Sequence, residues 1–175
     1  AGYAIEPIYL EKLYAQYPSE AEAHAVARTR LLSELEAGPA LVNYFGHAGV
    51  LSLDHGLLRA ADAGLLNNQQ GLSLMTGMTC FMSRFELPQY TSLAETLLLQ
   101  PGGGMAGVWS SGGMSYNHQA SQLDAAFFRA LFQSGQQRVG DAIVLAATEY
   151  LAAGNGADLL GIYNYLGDPA SAWNH

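Results

Sequence analysis

Cysteine is nearly missing from this chain. Cys80 is the only one in 175 residues. That excludes an internal disulfide framework and any zinc site built from several thiolates. Positive charge is also scarce. Seven Lys plus Arg face fifteen Asp plus Glu, for a formal net charge of −8, and Lys12 is the sole lysine. With no basic cluster, a nucleic-acid-binding surface is not expected. No apolar run reaches the roughly 20 residues of a membrane-spanning helix. Low hydrophobicity is absent too: half the residues are hydrophobic and 13% are charged, which excludes a disordered chain. Neither an internal repeat nor a linker is visible, so residues 1–175 read as one domain with a real core. The chain opens Ala1-Gly2-Tyr3, with no initiator Met and no signal-peptide pattern. It therefore reads as a piece of a longer polypeptide. The near absence of lysine fits an extracellular protein.

What is present is an alternation of short apolar runs and helical stripes, punctuated by glycine. Residues 1–18 read as an irregular arm. Ser19 and Glu22 have capping-box spacing, and Ala23, Val26, Ala27, Leu31 and Leu35 form a helical stripe that Gly38-Pro39 stops. Ala40 to Phe45 is too short for a helix and apolar on both faces, as a buried parallel strand would be. Leu57 to Leu66 predicts a short helix, with the turn out of it at Asn67-Asn68. Leu72 to Met78 predicts a second buried strand, Ser92 and Glu95 a second capping box, and Met105 to Trp109 a third strand. Amphipathic helices follow from about Ser121 to Gly135 and from Val139 to Ala153. Leu159 to Leu166 reads as a last strand, closed by a turn at Gly167-Asp168-Pro169. The order predicts an α/β fold, with a mostly parallel sheet and helices on both faces. Gly102-Gly103-Gly104 precedes a strand instead of opening a helix, which weakens a phosphate-cradle reading.

Two of these strands end on chemistry. The run to Phe45 leads into Gly46-His47-Ala48-Gly49, and the run to Met78 leads into Thr79-Cys80. His47 and Cys80 lie 33 residues apart, about one strand–crossover–strand unit. Ligands of parallel α/β sheets bind beyond the carboxyl ends of the strands. Taken singly, Cys80 reads as a small buried hydrophobe and His47 as a polar residue finishing a strand. Taken together they form a candidate nucleophile and base. The backbone N–H groups of Ala48 or Gly49 and of Cys80 are candidate oxyanion donors.

At these residues the sequence resembles the gingipain-type cysteine peptidases, family C25 of the caspase-like clan. The resemblance begins near Ile8-Tyr9-Leu10 and is clearest in Leu41-Val42-Asn43-Tyr44-Phe45-Gly46-His47. It continues through Cys80 and Phe85, Leu93-Ala94-Glu95, Gly107-Val108-Trp109-Ser110-Ser111 and Leu166-Gly167-Asp168-Pro169. It implies the C-terminal part of a caspase-like catalytic domain that lacks its first strands. By position, His47 would be the catalytic histidine and Cys80 the nucleophile. Tyr116 falls where the family has an aromatic residue near the specificity pocket, with Met114 and Ser115 on the same loop. The sequence departs from the family pattern at Ala48, Thr79 and Ser83. The resemblance further implies a polypeptide substrate, a secreted or cell-surface protein, and a missing N-terminal part of the same polypeptide. That part would carry the acidic residue orienting the histidine. Asp54, Asp62 and Glu86 are nearby in sequence, but none has a matching position.

No organic cofactor is expected. A structural calcium ion is possible by resemblance, with no residues to place it. His55 and His118 lie near site loops, but no ligand spacing joins them to Asp54 as a metal site. His24 and His175 read as structural or solvated. The alternative to an active peptidase is a peptidase-like module without turnover, serving a surface or secreted protein in a binding or structural role.

Overall fold

A computed structural model describes residues 3–172; His175 lies outside them. In chain order the elements are α1 (Leu10–Tyr14), α2 (Glu20–Ala37), β1 (Leu41–Phe45) and β2 (Ser73–Met78). They continue with α3 (Leu93–Leu98), β3 (Met105–Ser111), α4 (Asn117–Phe132), α5 (Val139–Ala152) and β4 (Tyr163–Gly167).

The predicted caps set the helix ends. The Ser19 hydroxyl accepts the Glu22 N–H at 3.3 Å at the start of α2. Gly38 stops the helix at φ 71°, a left-handed conformation that L side chains disfavour. A Cβ there would also meet Gly71 O at 2.5 Å. The second box is fully reciprocal. Glu95 N–H donates to Ser92 Oγ at 3.3 Å, and Ser92 N–H donates to Glu95 Oε2 at 2.8 Å.

The described residues form one four-stranded sheet in the order β1-β2-β3-β4. β1, β2 and β3 run parallel, and β4 runs against β3. One face packs on α1, α2 and α3 through residues such as Val42, Tyr44, Met75 and Val108. The other packs on α4 and α5 through Leu41, Leu74, Met78, Trp109 and Tyr163. Side chains alternate between the faces at period two. One irregularity shifts the register between Ser73 and Leu74, which pair with Met105 and Gly107. The extra residue puts Met105 and Val108 on the same face despite their odd separation. The fold is the expected mostly parallel α/β arrangement with helices on both faces.

Five local expectations need correction. The N-terminal arm contains α1, which exists to place Leu13 in the core. β1 is not buried on both faces: Asn43 and Phe45 are exposed, because among the described residues β1 is the sheet's outer strand. Leu57 to Leu66 forms no α-helix: it follows a tight 3-10 turn at Asp54–Gly56 and contains a second at Ala60–Leu65. Asp62 tightens the second turn by accepting Arg59 N–H at 2.7 Å while ion-paired to Arg28 at 2.5 Å. The last strand begins only at Tyr163. α4 starts four residues before Ser121, its first turn being too polar to join the apolar stripe.

Candidate functional site

The register of β1 on β2 sets the geometry. Asn43 pairs with Thr76, Tyr44 with Gly77 and Phe45 with Met78. Both strands end at that last pair, and His47 and Cys80 each follow two residues later in the loops beyond. Neighbouring strands lie about 4.8 Å apart, so the two loops leave the sheet from adjacent strand ends at the same level. Within the strands, Leu41 and Leu74 point toward α4 and α5.

The histidine loop is held by its own strand. The Tyr44 hydroxyl donates to His47 O at 2.6 Å, and Asp54 N–H donates to the same carbonyl at 2.9 Å. Burial pushes the Tyr44 hydroxyl up to about 12, so it stays a neutral donor. The ring folds back over Gly46 so closely that a Cβ there would lie 2.8 Å from its oxygen. Asp54 brings the loop back toward β1: Gly49 N–H donates to Ser52 O at 2.9 Å. That bond engages the Gly49 N–H and removes it from the oxyanion candidates. Among the described residues, no acceptor is recorded for Ala48 N–H or Cys80 N–H. Ala48 keeps a negative φ, so a side chain at that position costs no strain.

The cysteine loop is held by the loop after β3. Phe81 N–H donates to Gly113 O at 3.1 Å and Ser83 N–H to Ser111 O at 2.9 Å. The Ser111 hydroxyl binds Thr79 O, and the Ser83 and Ser110 hydroxyls bind each other. Phe81, directly after the cysteine, sits at φ 58°. Such a left-handed conformation in a bulky residue is strained, and strain of this kind collects at functional sites. Cys80, the one free cysteine, is intermediate in burial. Its sulfur lies against the main chain of Ser115. It accepts Ser115 N–H at 3.3 Å and faces Ser115 O at 3.5 Å. α3 fastens both loops at once. Its first free donors, Leu93 N–H and Ala94 N–H, reach Val50 O at 2.7 Å and Met82 O at 3.2 Å.

The three residues expected at a specificity pocket divide. Met114 and Tyr116 are exposed, at 62% and 66%. Ser115 between them is buried, its hydroxyl within 2.9 Å of the Tyr163 hydroxyl. Sequence reasoning missed Tyr163. β4 is antiparallel, so its first residue returns to the rim where the parallel strands end, opposite Ser111. Burial pushes the Tyr163 hydroxyl up to about 12, against hydrogen bonds to Ser115 and the Thr79 backbone.

Each acidic residue near the site in sequence is engaged elsewhere. Asp62 is ion-paired to Arg28 and held below the usual carboxylate range mainly by that bond. Glu86 pairs with Arg84 at 3.1 Å, and Asp54 lies 3.5 Å from His55. Facing β1 from α4, Asp124 accepts Asn43 Nδ2–H at 2.9 Å, and Asn43 Oδ1 accepts from Thr76 at 2.9 Å. Burial pushes Asp124 up to about 6. Asn43 lies four residues before His47 and two before the end of β1. Asp168 makes a turn, as expected: its carboxylate accepts Ala170 N–H at 2.9 Å.

His55 lies edge-on to His24 at 5.3 Å. His118 is on α4 next to Gln122. Among the described residues, no group of three or more His, Cys, Asp or Glu is placed to hold a metal ion.

The profile of peptidase family C25 matches residues 1–174. The chain belongs to peptidase family C25. No curated protein matches it. Among solved structures, the C25 chain is similar to the Arg-specific cysteine proteinase gingipain R (RgpB), with 17% identity and a TM-score of 0.75. That match covers 82% of this chain and 35% of gingipain R. A complex of the Porphyromonas gingivalis RgpB pro- and mature domains gives 16% identity and a TM-score of 0.75, over 82% of this chain and 36% of that one. A structure described only as a protease gives 19% identity and 0.73, over 80% of this chain and 36% of that one. These likenesses establish the fold, that of gingipain. The C25 chain spans about a third of the length of the structures it matches. No helix among its described residues is long and apolar enough to cross a membrane.

Proposed function

We propose that the chain carries the nucleophile and base of a cysteine endopeptidase. The observation that supports this reading is that the loops bearing His47 and Cys80 follow directly from the paired carboxyl ends of β1 and β2. The Cys80 sulfur attacks the scissile carbonyl of a polypeptide and forms a tetrahedral oxyanion, while His47 takes the thiol proton. Ala48 N–H and Cys80 N–H, both free of other acceptors, stabilise that oxyanion. His47 then protonates the departing amine, leaving a thioester on Cys80. Water, deprotonated by His47, hydrolyses the thioester and regenerates the thiol. Met114 and Tyr116, exposed on the loop before α4, line the approach of the substrate. Membership of C25 supports the peptidase class and, with it, a secreted or surface location and an N-terminal part that completes the site.

The experiment is peptide-library hydrolysis by the complete polypeptide and by its Cys80→Ala and His47→Ala variants. Each variant is expected to lose at least about a thousandfold in kcat/KM. Cleavage that survives Cys80→Ala at the original rate overturns the reading.

One observation favours the second reading, a peptidase-like module without turnover. Asp54, Asp62 and Glu86 all have other partners, so none of them orients His47. On that reading the complete polypeptide cleaves nothing in the library and still binds a polypeptide ligand.

A further inference from the structure

Two main-chain groups of one residue meet the Cys80 sulfur. Ser115 N–H points at it from 3.3 Å, and Ser115 O lies at 3.5 Å. They act in opposite senses. A thiol can donate to the carbonyl, whereas a thiolate is stabilised by the N–H and repelled by the oxygen. Ser115 thus supplies the hydrogen-bond contacts of a sulfur whose thiolate is the reactive form.

What positions Ser115 is a side chain from the far edge of the sheet. Gly112 is tied to β4 by its N–H to Ile162 O at 2.8 Å, and Gly113 O accepts from Phe81 N–H. Beyond them, the side chain of Ser115 has one recorded partner, the Tyr163 hydroxyl at 2.9 Å. Tyr163 is itself rigidly placed. It is 8% exposed, packs edge-on to Trp109 at 5.8 Å, and pairs with Ser111 through the β3–β4 ladder.

We propose that Tyr163 is a positioning residue for the nucleophile, acting through Ser115 to hold a main-chain N–H against the Cys80 sulfur. This deepens the peptidase reading and rests on Cys80 being the nucleophile. Tyr163 touches no substrate. Its contribution is to keep the main-chain donor in place against the sulfur. The titratable groups on the surrounding elements are His47 beyond β1, Asp124 and His118 on α4, and Glu86 near Gly112. The variants below leave all four unchanged.

The test is the pH dependence of Cys80 alkylation by iodoacetamide in the 175-residue chain. Cys80 is the only thiol, so the rate reads it alone. Tyr163→Phe keeps the ring and its packing and removes only the hydroxyl. Its rate–pH profile should shift to higher pH by about half a unit to one unit, slowing alkylation ~3–10-fold on the acid side with the alkaline plateau unchanged. Ser115→Ala, which keeps the N–H but loses the tether, should shift the profile in the same direction. The double variant should shift no further than the larger single one. A Tyr163→Phe profile that superimposes on the parent overturns the proposal. So does one scaled down at every pH without a shift, which is what a general loosening of the fold would give. Alkylation needs no turnover, so failure of the peptidase reading in the library assay and failure of this proposal are separately visible.

Discussion

A methyl group at position 46 would land on the oxygen that clamps the histidine loop. Gly46→Ala puts a Cβ 2.8 Å from the Tyr44 hydroxyl, whose own place is fixed by its bond to His47 O. Overpacking of this kind costs about 1–3 kcal/mol. Tyr44→Phe, which deletes the bond to His47 O and the longer one from Asp54 N–H at 3.3 Å, should cost about 1 kcal/mol. The two losses should not add. Without the hydroxyl the tightest contact is gone, leaving ring Cζ at 3.1 Å as the nearest, so a urea-denaturation cycle should give a favourable coupling of about 1 kcal/mol. Additive losses would show that Gly46 serves some other purpose. At this scale the sequence was partly legible. His47 and Cys80 could be singled out because glycine and polar residues interrupt two apolar runs. Phe81 could not, because nothing about a phenylalanine announces φ 58°. Tyr163 was hidden for a different reason: its role depends on the direction of β4, and an apolar run looks the same read either way.

At the scale of elements, α3 has six residues and fastens two loops. Its reciprocal cap is what keeps so short a helix in register. Ser92→Ala should destabilise the protein by about 1 kcal/mol. More tellingly, it should speed amide exchange in residues 48–53 and 80–84 beyond what the global loss explains, because Val50 O and Met82 O depend on the first turn of α3. Exchange that rises uniformly over the chain would refute the coupling. Both capping boxes were readable from Ser-x-x-Glu spacing alone, since a cap is a local interaction. The neighbours of β1 were not. Leu41-Val42-Asn43-Tyr44-Phe45 carries the pattern of a buried strand, yet only one of its edges is paired among the described residues. Residue pattern reports what a strand is suited to, not which elements lie beside it.

For the whole molecule, the pH dependence of stability has an identifiable source in Asp124. Its folded pKa is raised to about 6 by burial. The folded state therefore holds a proton that the unfolded chain has released, and stability falls as pH rises from about 4 to about 6, then levels off. Asp124→Asn keeps the bond to Asn43 and removes the buried charge. It should stabilise the protein by about 1–3 kcal/mol at neutral pH and by almost nothing near pH 4. Equal gains at both pH values, measured by urea denaturation, would assign the effect elsewhere. The α/β layering was legible throughout because hydrophobic alternation encodes it. The lone cysteine has a practical corollary. No second cysteine lies in these 175 residues, so any cystine it forms must reach a thiol outside them. Air-oxidised stocks of this stretch alone would then consist of covalent pairs joined at Cys80, parted only by a reductant.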